Sequence, residues 1–187
     1  PVVSQLTPYV PGEQPKIAKL IKLNTTECPY PPSPRVLEAI RTATNGDLRL
    51  YPDPDSTALR QSIAEYYGIS RDHVFVGNGS DEILAFAFQA LLNHGGPLVY
   101  PDITYSFYPV YCQLNGITAE TVALNEDFSL ELEAIPGNAG AVIFPNPNAP
   151  TGVEMPQAMI EEILQANPDV VVIVDEAYVD FGARSAL

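Results

Sequence analysis

Apolar residues show no regular period over the first 34 residues of the chain and then recur with helical or extended spacing. Prolines at 29, 31, 32 and 34 exclude a regular helix near the start, so an extended arm lying over another surface is expected there. Apolar residues spaced by three and four predict helices farther along, with Ser56 as the N-cap of the second. These helices span residues 33–43, 56–67, 81–92, 105–114 and 156–165.

Short apolar runs between these helices predict strands. They span residues 74–76, 98–100, 118–124, 141–144 and 170–174. The last run has five β-branched residues without alternation, which is typical of a strand buried on both faces. Repeated strand–helix units predict an α/β fold class, a mostly parallel sheet with helices on both faces.

The composition limits the class of partner. The chain has 187 residues, and its nine basic and 23 acidic residues give a formal charge of −14, which argues against nucleic acid and anionic membrane surfaces. No apolar run approaches the roughly 20 residues of a membrane span, and residues 1–14 lack the apolar core of a signal peptide. Cys28 and Cys112 form neither a disulfide framework nor a Cys/His metal spacing. A cytoplasmic protein without a metal site is therefore expected.

The segment GNGSDE, residues 77–82, leaves a predicted strand and opens a predicted helix. Its glycines allow a tight turn, and the first amides of the helix would then point at one spot, as in phosphate sites. Neither nucleotide-binding motif fits, because Glu82 stands where a dinucleotide fingerprint needs glycine and the Walker lysine is missing. The alternative is an ordinary strand–helix turn capped by Ser80 or Asp81.

The segment PDITYSFYPVY, residues 101–111, places four aromatic residues directly after another predicted strand. Tyr105 is nearest to the strand end, where its ring would lie flat over a planar ligand. Phe107, Tyr108 and Tyr111 are expected to be core or interface residues.

Two more loops follow predicted strands. FPNPNAPTG, residues 144–152, offers the amides of Asn146 and Asn148 to a ligand oxygen, with one proline a candidate for the cis form; the alternative is a stiff connector. VDEAY, residues 174–178, places Asp175 beside the end of an apolar strand, where a carboxylate requires a partner and a bound cation is expected. Glu176 is expected to open a solvated loop.

All four loops would gather at the carboxyl edge of the sheet, where open α/β sheets bind ligands. A phosphate site, a flat aromatic ring, an amide and a carboxylate suit a phosphorylated, planar, cationic heterocycle. A carboxylate beside a ring nitrogen keeps that nitrogen protonated, and a protonated pyridine ring withdraws electrons from a neighbouring carbanion.

In this order and spacing, GNGSDE, PDITYSFY, NPNAPTG and VDEAY resemble the motifs of the fold-type I pyridoxal-phosphate aminotransferases. With LTPY (residues 6–9), LNTTECPYPPSP and RLYPDP, the closest branch is that of the histidinol-phosphate aminotransferases. The resemblance covers essentially the whole chain. It implies pyridoxal 5'-phosphate as cofactor and amino transfer between histidinol phosphate and 2-oxoglutarate in histidine biosynthesis, by a homodimer.

The resemblance also implies roles for individual residues, first at the cofactor and then at the substrate. The cofactor residues would be Gly79, Ser80 and Asp81 at the phosphate, Tyr105 on the pyridine ring, Asp175 at its nitrogen, Tyr178 at its hydroxyl, and Tyr51 at the phosphate of the neighbouring subunit. The substrate residues would be Tyr9, Asn24 and Glu27.

One departure from the family pattern concerns the asparagine before PTG, which hydrogen-bonds the ring oxygen and is Ala149 here. Either Asn148 replaces it, or the contact is lost at about 1.5–3 kcal/mol.

The other departure is that the lysine forming the Schiff base in the family is absent, so no catalytic residue is assigned. Lys16, Lys19 and Lys22 are the lysines of the chain, and all lie in the arm. The chain is therefore expected to be the N-terminal portion of an enzyme and to be inactive alone. Residues 1–34 would form the arm and the start of a small domain, and residues 35–187 would form the N-terminal part of the large cofactor-binding domain.

Other functions stay open. Threonine-phosphate decarboxylase and aromatic aminotransferase share these motifs, and a different class is a non-catalytic relic domain that binds phosphate or a partner.

Overall fold

The computed structural model describes residues 2–6 and 12–187. Contacts between these residues form two units, one of residues 2–6 and 76–187 and the other of residues 12–75. This grouping differs from the expected division between residues 34 and 35, which refers to the domains of a longer enzyme and stays a prediction. No helix in the described part of the chain is both long and apolar enough to span a membrane.

The unit of residues 12–75 contains two helices, α1 (Pro34–Ala43) and α2 (Thr57–Tyr67), close to the predicted ranges. The N-cap residue of α1 is Ser33, whose Oγ accepts the N–H of Val36 at 3.4 Å. Ser56 is the N-cap residue of α2, as expected, but its side chain makes no capping hydrogen bond. Asp53 accepts the N–H of Thr57 at 2.8 Å instead, because an ionised carboxylate is the stronger acceptor at a helix N-terminus, and this bond lowers the pKa of Asp53.

The predicted strand over residues 74–76 is also wrong. Val74 has extended backbone angles, φ −110° and ψ 120°, but these residues pair with no strand in the described part of the chain. Arg60 Nε instead donates to the carbonyl oxygen of Val74 at 2.7 Å. The apolar run thus indicated the local conformation, whereas a strand also needs a neighbour.

The described residues from 76 onward form a four-stranded sheet with every pair parallel, in the order β2-β1-β3-β4. The strands are β1 (Leu98–Pro101), β2 (Ala119–Val122), β3 (Ala141–Pro145) and β4 (Val171–Asp175). The helices of this unit are α3 (Ser80–Ala90), α4 (Tyr108–Asn115) and α5 (Gln157–Ala166). Single 3-10 turns occur at Val2–Gln5, Gly46–Arg49, Arg71–His73, Leu132–Ala134 and Val179–Phe181.

The core lies on both faces of this sheet. On one face Leu98 and Ile143 pack with residues of α3 and α4, including Phe88 and Tyr108. On the other face alternate strand residues such as Val142 pack with residues of α5. The α/β fold with helices on both faces of a parallel sheet is therefore confirmed.

The position of β4 corrects one expectation. Its apolar run predicts burial on both faces, but all five residues Val171–Asp175 are half-buried. The physical reason is that β4 pairs only with β3 in the described residues and so lies at the edge of the sheet.

Candidate functional site

A cleft of about 230 Å³ lies at the carboxyl edge of the sheet. It begins where β3 and β4 end in register, with Pro145 opposite Asp175. The lining residues are Ser80, Asp81, Tyr105, Pro145, Ala149, Asp175, Ala177 and Tyr178. Five residues proposed from the sequence as ligand contacts therefore lie around one space, namely Ser80, Asp81, Tyr105, Asp175 and Tyr178.

The N-terminus of α3 forms one side of the cleft. Gly79 is its N-cap residue, with φ +82°, a backbone conformation that favours glycine, and no side chain caps the helix there. Capping by Ser80 or Asp81, the alternative from the sequence, is therefore wrong. Glu82 instead accepts the N–H of Asn78 at 2.6 Å. The uncapped first turn thus leaves its amide N–H groups and the positive end of the helix dipole available to an anion.

Tyr105 forms a wall of the cleft and is held from two directions. Its hydroxyl donates to Asp81 Oδ1 at 2.8 Å. Its ring meets the ring of Tyr108 edge to face, with centroids 5.6 Å apart, and lies nearly parallel to that of Phe107 at 6.3 Å. The phenol ring is therefore fixed beside the cleft before any ligand binds.

Asp175 closes the site at the end of β4. The Tyr108 hydroxyl donates to its Oδ2 at 2.9 Å, and the N–H of Ala177 donates to Oδ1 at 3.2 Å. Sequence reasoning placed Tyr108 in the core, where it is, but missed this bond. The signal available in the sequence was that a buried phenol needs a hydrogen-bond partner. The partner could not be identified from the sequence, because it lies 67 positions away.

The loop after β3 separates its two asparagines from the cleft. Asn146 is fully buried, and its Oδ1 accepts the N–H of Met155 at 2.8 Å. Asn148 Nδ2 donates to the carbonyl oxygen of Ile103 at 2.9 Å, and its side chain lines a different cavity with Met155. The Asn146–Pro147 peptide bond is cis. Neither asparagine therefore lines the cleft, and the Asn148 amide nitrogen is engaged by a residue that follows β1.

Glu176 was expected from the sequence to open a solvated loop, and this prediction is wrong. It is half-buried, and its carboxylate accepts the Ser185 hydroxyl at 2.7 Å and the N–H of Ala186 at 2.6 Å. The side chain therefore fastens residues 185 and 186 to the end of β4.

The remaining candidates lie elsewhere in the chain. Tyr51, Asn24 and Glu27 belong to the unit of residues 12–75, where Tyr51 is fully exposed, Asn24 Nδ2 donates to the carbonyl oxygen of Glu13 at 2.9 Å, and Glu27 pairs with Lys22. Tyr9 lies outside the described residues.

Residues 18–186 match the family "Aminotransferase class I and II". The chain belongs to this aminotransferase family. Its curated relatives include the histidinol-phosphate aminotransferase of Pseudomonas putida strain W619, which is 59% identical over 187 residues. That alignment covers 100% of this chain and 54% of the relative, so the chain spans about half the length of the curated relatives it matches.

Solved structures of aminotransferases and related enzymes share the fold. The crystal structure of histidinol-phosphate aminotransferase from Sinorhizobium meliloti in complex with pyridoxal-5'-phosphate matches with a TM-score of 0.75 and 31% identity, covering 83% of this chain and 44% of that one. The L-threonine-O-3-phosphate decarboxylase of Porphyromonas gingivalis matches with a TM-score of 0.68 and 23% identity over 82% of this chain and 46% of that one, which shows likeness of fold alone.

Proposed function

We propose that this chain is the N-terminal half of a pyridoxal-phosphate-dependent aminotransferase. The enzyme would transfer an amino group between histidinol phosphate and 2-oxoglutarate in histidine biosynthesis, in the cytoplasm. The observation that carries the proposal is the cleft in which an uncapped helix N-terminus, a fixed tyrosine ring and a carboxylate meet. The 59% identity to the enzyme of Pseudomonas putida supports the choice of substrate.

The residues of the cleft fit the cofactor. The α3 N-terminus with Gly79, Ser80 and Asp81 suits its phosphate, since the uncapped first turn provides amide donors and a favourable dipole. The ring of Tyr105 is positioned to pack on a planar ring. Asp175 provides the negative charge that a pyridinium nitrogen requires.

When bound, pyridoxal phosphate supplies an electron sink for the carbon that carries the amino group. Asp175 would hold a proton on the ring nitrogen and so preserve that electron-withdrawing character. Tyr105 would restrict the ring to one plane. Tyr178, which lines the cleft, would reach the ring hydroxyl. Ala149 has no side-chain donor for that oxygen. Because the Asn148 amide nitrogen already donates to the Ile103 carbonyl, we leave Asn148 out of the proposed cofactor contacts.

A homodimer and an N-terminal arm would complete the site. The fully exposed Tyr51 would reach the cofactor phosphate of the partner subunit. Tyr9, Asn24 and Glu27 would contact the substrate. The lysine that moves the proton at the substrate carbon would lie in the half of the enzyme that relatives contain beyond this match, because residues 76–187 include no lysine.

The test is to obtain the coding sequence that follows residue 187 and to assay the complete enzyme. We expect a Ser-Lys pair with an arginine several residues later within roughly the next 60 residues, a length of a few strand–helix units. Histidinol phosphate should then be a better amino donor than phenylalanine, and threonine phosphate should not lose carbon dioxide. A continuation without that lysine would support the relic domain instead.

A second prediction concerns Asp175 in the complete enzyme. Asp175→Ala should weaken pyridoxal phosphate binding at least tenfold and nearly abolish turnover, because an ionic hydrogen bond of about 1.5–3 kcal/mol is lost. Equilibrium dialysis and steady-state kinetics measure both effects. Glu176→Ala is the matched control, since its carboxylate binds residues 185 and 186 rather than lining the cleft. Unchanged affinity and turnover in Asp175→Ala would refute the proposed contact.

A further inference from the structure

We propose that Tyr108 is a positioning residue that holds the Asp175 carboxylate in place for the cofactor ring nitrogen. The inference rests on the proposed function, because it gives Tyr108 a role only through the contact of Asp175 with that nitrogen. Tyr108 itself does not line the cleft, and it is one of the fully buried side chains of the core.

The tyrosine ring is held rigidly by its neighbours. Its centroid lies 5.9 Å from those of Phe88 and Tyr100 and 5.6 Å from that of Tyr105. The Tyr105 and Tyr100 contacts are edge to face, which fixes the tilt of the ring as well as its position. With the ring fixed, the position of the hydroxyl oxygen is fixed as well, and Asp175 Oδ2 lies within donating distance of it at 2.9 Å.

The hydrogen bonds of Asp175 explain why this donor matters. Without such donors, the two rotatable bonds of an aspartate side chain allow several rotamers. Here Tyr108 holds one oxygen and the Ala177 amide holds the other at 3.2 Å. A carboxylate has about four acceptor sites, so acceptor capacity remains for a ligand in the cleft. Of these two donors, the tyrosine gives the shorter bond, and it is the one that a substitution can remove.

The donor role of Tyr108 is also stable against changes in pH. Burial, with the nearby Asp175 carboxylate second, raises the pKa of the Tyr108 hydroxyl far above its ordinary value near 10. The hydroxyl therefore keeps its proton at every pH at which an enzyme of this kind works. It always donates to Asp175 and never competes with it for a proton.

A double-mutant cycle on the dissociation constant of pyridoxal phosphate tests the inference in the complete enzyme. The four forms are wild type, Tyr108→Phe, Asp175→Asn and the double variant. Phenylalanine keeps the ring and removes only the hydroxyl, and asparagine keeps the shape and removes the charge. If Tyr108 acts through Asp175, Tyr108→Phe should raise the dissociation constant about tenfold when Asp175 is present. In the Asp175→Asn background, the same substitution should raise it less than about twofold.

Tyr100→Phe is the matched control. Tyr100 is a second buried tyrosine, and its hydroxyl lies beside Cys112 instead of Asp175. Its variant should change the dissociation constant less than about twofold. An equal effect of Tyr100→Phe and Tyr108→Phe would overturn the inference, because loosening of the core would then explain both.

The remaining outcomes separate the inference from the proposed function. In one outcome, Asp175→Asn weakens pyridoxal phosphate binding, and Tyr108→Phe raises the dissociation constant by the same factor with and without Asp175→Asn. This outcome overturns the positioning role of Tyr108 and supports the role of Asp175. Wild-type affinity in Asp175→Asn refutes the proposed contact of Asp175, and the inference falls with it.

Discussion

Tyr105 and Tyr108 are three positions apart and have different environments, although both are tyrosines after the same strand. Tyr105 is half-buried and faces the cleft, whereas Tyr108 is fully buried beneath it. Each donates its hydroxyl to an aspartate, Tyr105 to Asp81 and Tyr108 to Asp175. A residue whose sequence position predicts a core role therefore also contacts a carboxylate that lines the cleft.

Burial of tyrosines predicts a loss of stability at alkaline pH. It raises the pKa of Tyr108 and Tyr111, and that of Tyr100 to about 12. Above the ordinary value near 10 the unfolded chain loses protons that the folded chain retains, so the stabilisation is complete below that pH and decreases as pH rises. Tyr108→Phe should reduce the slope of the unfolding free energy against pH by about 1.4 kcal/mol per unit, the contribution of one proton.

Urea denaturation between pH 8 and pH 11.5 measures the slope for the wild type and for Tyr108→Phe, and the difference between the two slopes is the predicted quantity. Burial also raises the pKa of Cys112 to about 11, but this thiol is present in both forms and cancels in the comparison. Equal slopes for wild type and Tyr108→Phe would contradict the prediction.

At the scale of single residues, the sequence predicted the site from each residue's place relative to a strand end. That rule identified Ser80, Asp81, Tyr105, Asp175 and Tyr178, which the structure brings to one cleft. Asn148 does not line this cleft, because the direction in which a loop side chain points depends on partners distant in sequence, such as the Ile103 carbonyl. The roles of these residues at a cofactor stay predictions.

At the scale of elements, periodicity predicted all four strands of the sheet and α1 to α5 within a few residues. It could not predict what pairing and burial decide. Residues 74–76 have the composition of a strand but pair with no strand of the described residues. The composition of β4 is that of a central strand, and β4 lies at the edge of the sheet that the described residues form. Strand pairing and the position of a strand in the sheet both depend on which segments become neighbours, and the local sequence pattern does not contain that information.

A glycine pair beside β1 and β3 provides a test at this scale. A Cβ on Gly140 would lie 2.6 Å from the carbonyl oxygen of Gly96 and 2.7 Å from its nitrogen, and neither backbone atom has room to move. Gly140→Ala should therefore lower the free energy of unfolding by about 1–3 kcal/mol, the usual effect of overpacking. Gly137→Ala is the matched control, because its Cβ would meet nothing within 4 Å. The urea midpoint measures both, and equal midpoints would contradict the close approach.

At the scale of the whole molecule, the dominant feature is negative charge. The formal charge is −14, and the sequence pI is about 4.2. The ion pairs in the described residues are Lys22 with Glu27 and Arg41 with Glu38, and both belong to the unit of residues 12–75. Most acidic side chains of the described residues therefore repel one another without a paired cation, and this self-repulsion destabilises the folded state.

Screening of this repulsion should stabilise the protein. Raising NaCl from about 10 mM to about 200 mM shortens the Debye length from roughly 30 Å to below 10 Å. We expect the thermal midpoint at pH 7.5 to rise with salt, and the rise to shrink at pH 5, nearer the pI. A midpoint that falls with salt at pH 7.5 would mean that attractive pairs dominate. Calorimetry of the cofactor-free protein measures this without interference from phosphate binding.

The contacts of Tyr105 and Tyr108 have a consequence for ligand choice. From the first turn of α3 to the end of β4 they run without a break: Asp81 to the Tyr105 hydroxyl, Tyr105 to the Tyr108 ring, and the Tyr108 hydroxyl to Asp175. Two stiff phenol rings therefore set the separation between the first turn of α3 and the Asp175 carboxylate. Under the proposed function, a molecule whose phosphate and positive nitrogen are spaced differently would satisfy only one end, so the cleft would select its ligand by length as well as by charge.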